Sequence, residues 1–205
     1  HDLKNLIGQL SLVVTNAARH KHNPAFMEDA IQTVENSVDK MNRLLIHLRS
    51  GEAADTRHET VDVCACLQEV VDTMANGRPA PSVDCQARGI HISANRERMA
   101  AIVGHVVRNA QDATPDTGRV IVRLFKQSDM AVIEVQDTGS GMDERFIREQ
   151  LFKPFATTKG EAGTGVGAHE ARAFIEKLGG DVEVISRVGE GTSFRMRLPI
   201  SDESK

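Results

Sequence analysis

Ala131-Val-Ile-Glu-Val-Gln-Asp137-Thr-Gly139-Ser-Gly141-Met142 is the stretch from which the fold of this chain is predicted. It begins with mostly apolar residues, several of them β-branched, which is typical of a strand. The strand delivers Asp137 into a turn where Gly139 and Gly141 allow close approach to the backbone. A carboxylate in such a turn can accept a hydrogen bond from an amine of a ligand. The stretch therefore predicts a sheet with a polar binding position at the end of one strand.

Further helical and strand patterns surround this stretch between residue 58 and the end of the chain. Helical periodicity is found at residues 63–74, 96–113 and 168–178. Strand patterns are found at residues 90–93, 120–125, 131–135, 181–186 and 193–198. Helices that are segregated from a mostly antiparallel sheet predict an α+β two-layer sandwich over residues 58–201.

Residues 1–50 have a different apolar pattern, with steps of three and four that indicate two amphipathic helices. The two apolar seams are Leu3, Leu6, Leu10, Val13 and Ala17, and then Ile31, Val34, Val38, Met41, Leu45 and Leu48. Between them, Asn23 can cap the second helix and Pro24 can occupy its first position. A lone helical hairpin buries too little surface, so we expect a homodimer that completes a four-helix bundle. Residues 51–57 lack either periodicity and are predicted to be a linker.

The composition excludes several classes of protein. The 205 residues carry a net charge of −4, so no basic surface for nucleic acid is expected. Cys64, Cys66 and Cys85 fit neither a disulfide framework nor a zinc site, which predicts small buried residues and a reducing compartment. No apolar run is long enough to cross a bilayer. The helical pattern is already under way at His1, so we expect the cytoplasmic portion of a protein whose membrane contact, if any, lies upstream.

Two further segments, one before the Asp137 turn and one after it, could complete a nucleotide pocket. His105, Asn109 and Asp112 are spaced to share one helix face, and the amide oxygen of Asn109 suits Mg²⁺. Glycines before a helix leave amides free to attract phosphate, and a lysine before them can add a point charge. These residues are Lys159, Gly163, Gly165 and Gly167. Phe152-Lys-Pro-Phe155, between the two segments, is expected to pack the base of a lid.

His1 is the candidate nucleophile. It lies off the apolar seam of the first helix, so its imidazole should face solvent and could attack a phosphoryl group. Asp2 can orient that imidazole, and Asn5 lies one turn further along the same face. Taken alone, the His1–Asp2 pair has an alternative interpretation. His1 could be an ordinary surface histidine, and Asp2 an acid that the helix dipole favours near the start of a helix.

Taken in chain order, the five segments at His1–Asn5, His105–Asp112, Asp137–Met142, Phe152–Phe155 and Gly163–Gly167 resemble the H, N, G1, F and G2 boxes of sensor histidine kinases of two-component systems. These kinases are members of the GHKL ATPase superfamily. The resemblance implies a GHKL-type sandwich after the dimeric bundle, ATP as the phosphate donor, and autophosphorylation of His1 assisted by Asp2. It also implies transfer to an aspartate in the receiver domain of a response regulator. Asn5 resembles the residue that positions water for phosphatase activity.

In the nucleotide-binding segments the resemblance makes Asn109 the Mg²⁺ ligand and Asp137 the acceptor of the adenine amino group. Two positions depart from the common pattern. Many of these kinases have asparagine or glutamate at the position of His105, and a basic residue at that of Asp112. His105 could act as a base, as a glutamate does at this position in related ATPases, or could be a packed core residue.

Two other functions stay open from the sequence. A stand-alone ATPase of the gyrase and Hsp90 type would hydrolyse ATP without acid-labile phosphorylation of the chain. A dimeric docking module would bind nucleotide without transferring phosphate. Within the kinases, His1-Asp2-Leu3-Lys4-Asn5 and the segment around Lys159 resemble the exosortase (PEP-CTERM) system type.

Overall fold

The computed structural model describes residues 8, 10–17, 23, 26–27, 30–31, 33–34, 37, 58–154 and 167–201. The chain forms two compact units, His1–Asp55 and Thr56–Lys205. The predicted linker at residues 51–57 lies outside the described residues, so the domain bounds given above stay predictions. None of the described helices is long and apolar enough to cross a membrane.

The described residues of the first unit are helical at 8, 10–17 and at most positions between 26 and 37. Asn23 caps the second helical stretch as predicted: its side-chain oxygen accepts from the backbone N–H of Phe26 at 3.4 Å. Ala30 is buried, whereas the predicted seam residues Ile31 and Val34 are 56% and 39% exposed. The single chain therefore leaves part of the apolar seam uncovered, and a dimeric bundle is not shown.

The second unit contains seven strands and four helices among its described residues. The strands are β1 (Glu59–Asp62), β2 (Pro81–Cys85), β3 (His91–Ala94), β4 (Val120–Gln127), β5 (Met130–Asp137), β6 (Asp181–Arg187) and β7 (Gly191–Pro199). The helices are α1 (Val63–Thr73), α2 (Arg96–Ala113), α3 (Glu144–Glu149) and α4 (Gly167–Lys177). Five strands form one sheet in the order β2-β4-β5-β7-β6, while β1 and β3 pair separately.

The core lies between the five-stranded sheet and helices α1, α2 and α4. The side chains of β5 alternate, with Ala131, Ile133 and Val135 in the core and Glu134 on the opposite face. The buried residues of α2 recur every three to four positions: Met99, Ile102, Val103, Val106, Val107 and Ala110. This packing confirms the predicted α+β sandwich and leaves the opposite face of α2 free to carry polar residues.

The predicted elements agree with the structure except where the sequence pattern is weak. The bounds predicted for α2 are the observed ones, and β4, β5, β6 and β7 extend a few residues beyond their predictions. The pattern missed β1, β2 and α3, which are short and rich in polar residues. Because β2 pairs in parallel with β4, the sheet is mixed, with its other pairings antiparallel.

The prediction for the cysteines is wrong for two of the three. Cys64 near the start of α1 and Cys85 at the end of β2 form a disulfide, with their Cα atoms 6.1 Å apart. Only Cys66 is the buried free thiol that the sequence predicted, and burial raises its pKa. The inference of a reducing compartment therefore loses its basis. The sequence could not predict this pair, because the fold brings α1 and β2 together and the spacing of the cysteines does not reveal it.

A row of alternating charges, here called the outer ladder, crosses the solvent-facing side of the sheet. It consists of Asp84, Arg123, Glu134, Arg195, Glu183, Arg197 and Asp181. Burial raises the pKa of Glu134, but hydrogen bonds from Ser193, Arg195 and Arg123 outweigh it and leave the pKa below its usual value. The buried carboxylate is thus compensated by three donors from two neighbouring strands.

Replacing Glu134 with glutamine is expected to lower the free energy of unfolding at pH 7 by about 1–3 kcal/mol, the scale of hydrogen bonds to a charged group. Because the folded-state pKa lies below 4.5, the contribution is complete above about pH 4.5 and is lost as the pH falls through the lowered value. Urea unfolding of both chains at pH 7 and pH 3 measures this. Asp84→Asn, at the exposed end of the outer ladder, is the control, and an equal loss at both pH values would contradict the assignment.

Candidate functional site

Asp137 ends β5 with its carboxylate buried against the turn that follows. Its Oδ1 accepts hydrogen bonds from the backbone N–H of Gly139 at 2.8 Å and of Thr192 at 3.2 Å. Burial raises the pKa of Asp137, and the bonds from Gly139 and Thr192 partly offset that rise. The two donors fix the plane of the carboxylate, so that an amine of a ligand would meet an acceptor of set orientation.

The glycines of the turn are required by the protein's own backbone. A Cβ at Gly139 would meet the carbonyl of Ala113 at the end of α2. Gly141 has φ 64°, and a Cβ there would meet the carbonyl of Arg187. The N–H of Ser140 donates to the Ala113 carbonyl at 2.9 Å. The turn therefore joins α2 to the hairpin between β6 and β7, and this joint holds Asp137 next to the end of α2.

Asn109 lies on the exposed face of α2, about one turn before the Asp137 joint, and Asp112 is exposed on the same helix. Gly167, the first residue of α4, approaches from the other side: a Cβ added there would lie 3.5 Å from Nδ2 of Asn109. The structure thus brings together the Asn109 amide on α2 and one glycine of the predicted phosphate-binding segment. An exposed amide oxygen beside a helix N-terminus fits a Mg²⁺–phosphate group that takes few protein ligands.

His105 lies one turn before Asn109 and faces α4. Its Nδ1 is 3.9 Å from Oε2 of Glu170, within the range of an ion pair. A Cβ at Gly167 would also lie 3.8 Å from Cβ of His105. His105 is therefore part of the contact between α2 and α4, at 32% side-chain exposure, rather than a deeply packed core residue.

Phe152 confirms part of the role predicted for its segment. Its ring lies 6.5 Å from that of Phe194 and packs against the core. The guanidinium of Arg172 stands 4.9 Å from the ring centre, and the carbonyl of Phe152 lies 3.0 Å from Nδ1 of His169. Phe152 is thus held by the first turns of α4, which anchors the chain just before residue 155.

Several predicted site residues lie outside the described residues: His1, Asp2, Asn5, Phe155, Lys159, Gly163 and Gly165. Their roles stay predictions. Thr192 and Glu170, by contrast, contact site residues and were not assigned from the sequence. Neither has a local signal, since Thr192 is 55 residues from the carboxylate that it contacts, and Glu170 is 65 residues from His105.

No group of three or more His, Cys, Asp or Glu residues suited to a metal exists in the part of the chain that the structure describes. A site built on one amide, phosphate oxygens and water does not need such a group. This arrangement is the one expected of a nucleotide-binding domain, with a buried carboxylate beside one end of α2 and an exposed amide close to the start of α4.

Comparison with known proteins agrees with this class. Residues 94–202 match the family of histidine kinase-, DNA gyrase B-, and HSP90-like ATPases. Sensor kinase CckA of Brucella abortus is 25% identical over all of this chain and 24% of its own length. Sporulation kinase C of Bacillus subtilis is 30% identical over 57% of this chain and 27% of its own length.

Among solved structures, histidine kinase ThkA in complex with the response regulator protein TrrA is similar in fold. It has a TM-score of 0.76 and 19% identity, covering 100% of this chain and 60% of that one. The chain belongs to the histidine kinase-, DNA gyrase B-, and HSP90-like ATPase family, as the catalytic core of a two-component sensor histidine kinase. It spans about a quarter of the length of the two curated relatives named above.

Replacing Gly141 with alanine is expected to destabilise the second unit by about 2 kcal/mol or more, because a side chain at φ 64° is strained and meets a backbone carbonyl. Gly167→Ala is the matched control. Its Cβ would make only ordinary contacts, so the free energy of unfolding should change by less than about 1 kcal/mol. Denaturant unfolding decides, and equal stability of the two variants would show that the Gly141 contact is not restrictive.

Proposed function

We propose that the chain uses ATP and Mg²⁺ to phosphorylate His1 and then transfers the phosphoryl group to an aspartate of a response regulator. The observation that carries this proposal is the convergence on α2: the Asp137 turn is joined to its end, and Asn109 and Gly167 meet one turn earlier. Membership of an ATPase family implies ATP binding. Phosphoryl transfer to a histidine requires an ATP-binding unit and a helical unit that carries the acceptor, and the sequence predicts that His1 faces solvent on the first helix.

The base end of the site supports adenine as the base that is recognised. The carboxylate of Asp137 offers acceptors and no donor when it is ionised, which suits the exocyclic amine of adenine. The keto oxygen of guanine at the same place would face another acceptor. Discrimination by a buried polar group of this kind is strong because the mismatch leaves groups unpaired.

The phosphate end supports transfer through positioning and electrostatic stabilisation. Asn109 would hold Mg²⁺, which would supply positive charge to offset that of the phosphates. The free amides at the start of α4 would bind phosphate, with Gly163, Gly165 and Gly167 allowing close approach. Lys159 would add a positive charge, and Asp112 would contact the nucleotide or its hydration shell from the same face of α2.

The acceptor is His1. Its neutral imidazole would attack the terminal phosphorus as the bond to the ADP oxygen breaks, and Asp2 would accept the proton of the other ring nitrogen. Asn5, one turn away, is proposed to hold the water that dephosphorylates the regulator. A response regulator is inferred as the partner from the family. ThkA, which is similar in fold, forms a complex with the response regulator protein TrrA.

The first unit is proposed to dimerise. Ile31 and Val34, two residues of the predicted second seam, present apolar side chains to solvent in the single chain. A second copy would cover such a seam in a four-helix bundle. The narrower assignment to the exosortase system type rests on the sequence resemblance at residues 1–5 and around Lys159, and a location in the cytoplasm is part of the same proposal.

Incubation with γ-labelled ATP tests the function directly. The chain should acquire acid-labile, base-stable label, and His1→Ala should acquire none, because the nucleophile is absent. His58→Ala, an exposed histidine of the second unit, should label like the unmodified chain. ATP hydrolysis without labelling would favour the stand-alone ATPase, and nucleotide binding without either reaction would favour the docking module.

Asn109→Ala is expected to reduce autophosphorylation at saturating ATP by at least about a hundredfold, since the Mg²⁺ ligand that positions the phosphates is lost. Arg108→Ala, the exposed neighbour on α2, is the matched control and should remain within about threefold. The rate of labelling at several Mg²⁺ concentrations provides the measurement. An Asn109→Ala rate close to that of the control would remove Asn109 from the metal site.

Asp137→Asn is expected to weaken ATP binding by about tenfold or more and to reduce the preference for adenine over guanine nucleotides. The amide keeps an oxygen for the N–H groups of Gly139 and Thr192, so the fold should be retained. Its amino group can in addition donate to a keto oxygen. Calorimetric titration with ATP and GTP measures both effects. An unchanged ratio of affinities would show that Asp137 does not recognise the base.

A further inference from the structure

A mostly buried carboxylate lies on α4, close in the chain to the candidate phosphate position at Gly167. Glu170 on α4 has a side chain only 16% exposed, although charged side chains are seldom buried without compensation. Its Oε2 lies 3.9 Å from Nδ1 of His105 on α2. The separation is within ion-pair range and longer than a direct hydrogen bond. The two side chains therefore form a polar contact between α2 and α4, in addition to the contact of the Arg98 guanidinium on α2 with the Phe174 ring on α4.

This pair lies next to the residues proposed to handle the phosphates. His105 is one turn before Asn109 on α2, and Glu170 is just under one turn after Gly167 on α4. Gly167 itself packs against both His105 and Asn109. The polar pair is therefore about one helical turn from the proposed metal ligand on α2 and from the proposed phosphate-binding glycine on α4.

Apolar contacts hold α4 against the core, and the Arg98–Phe174 contact lies almost two turns beyond Gly167, away from the start of the helix. Ala171, Phe174 and Ile175 are the buried residues of α4, and their contacts are non-directional. An electrostatic contact near the start of α4 favours arrangements that keep the two side chains close, and so restricts where Gly167 lies relative to α2. Small errors in the placement of phosphate-binding groups reduce binding and rate strongly.

We propose that His105 and Glu170 are positioning residues that hold the start of α4 close to Asn109. The backbone amides of α4 and the side chain of Asn109 would then bind the same phosphates. The inference deepens the proposed function and rests on it. His105 would then be neither a base nor a simple packing residue: its Nδ1 edge serves the helix contact. The pair acts through Gly167 and Asn109 and touches no reacting atom.

The test compares two ligands in the whole chain. A non-hydrolysable ATP analogue with Mg²⁺ engages both ends of the site, whereas adenosine engages only the Asp137 end. His105→Leu and Glu170→Leu should each weaken binding of the Mg²⁺-bound analogue by about tenfold, with adenosine affinity within about twofold of the unmodified chain. The double variant should bind the analogue no more weakly than either single variant, since one contact is lost in all three.

Two further variants separate positioning from general stability. His105→Asn keeps a donor close to the place of Nδ1 and should bind the analogue within about threefold of the unmodified chain. Glu176→Leu removes an exposed carboxylate from the same helix, further from the site, and should leave both affinities unchanged. If His105→Asn loses as much as His105→Leu, the side-chain contact is not what positions α4.

The outcomes distinguish the two levels of inference. An unmodified chain that binds the Mg²⁺-bound analogue no better than adenosine would overturn the proposed function. An unmodified chain with a clear Mg²⁺-dependent gain, together with leucine variants that retain it, would overturn the positioning role alone. Equal losses for both ligands, or additive losses in the double variant, would also overturn it, because they indicate a general weakening of the fold or two unrelated effects.

Discussion

The contact between the Asp137 turn and the end of α2 is the constraint on which the rest of the site depends. The carbonyl of Ala113 accepts from the N–H of Ser140, and Gly139 leaves no side chain to hold the two segments apart. Because β5 is a central strand of the sheet, this contact fixes α2 relative to the whole sheet. Asn109, on α2, and Asp137, on β5, then lie on one rigid frame, and a ligand can be held at both ends without reorganising the protein.

The sequence predicted those parts of the fold whose pattern is strong and local. α2 has eighteen residues with clear helical periodicity, a capping asparagine before it and Asn109 on its polar face. β5 has an apolar run that ends at a carboxylate. Short polar elements escaped detection: β2 has the sequence Pro-Ser-Val-Asp-Cys and gains its stability from parallel pairing with β4, which no local pattern reveals.

The site shows the same division. Asp137, Asn109 and Gly167 could be selected from the sequence because each stands in a short motif of distinctive spacing. Their partners could not, since Thr192 and Glu170 reach the site only when distant segments fold together. The disulfide between Cys64 and Cys85 escaped for that reason as well, and an odd number of cysteines pointed away from it. Gly139 and Gly141 are required for a reason that the sequence could not reveal, because a side chain at either position would meet the carbonyl of Ala113 or Arg187.

The outer ladder has a consequence for how the strands find one another. Side chains on a strand alternate between two faces, so a slip of β5 by one residue would turn Glu134 from its arginines into the apolar core. An uncompensated carboxylate there would cost several kcal/mol, more than such a misaligned sheet is expected to recover elsewhere. The outer ladder adds little apolar burial, but it favours the native register of the strands because each charge then has its counterpart. The same register places Asp137 beside α2.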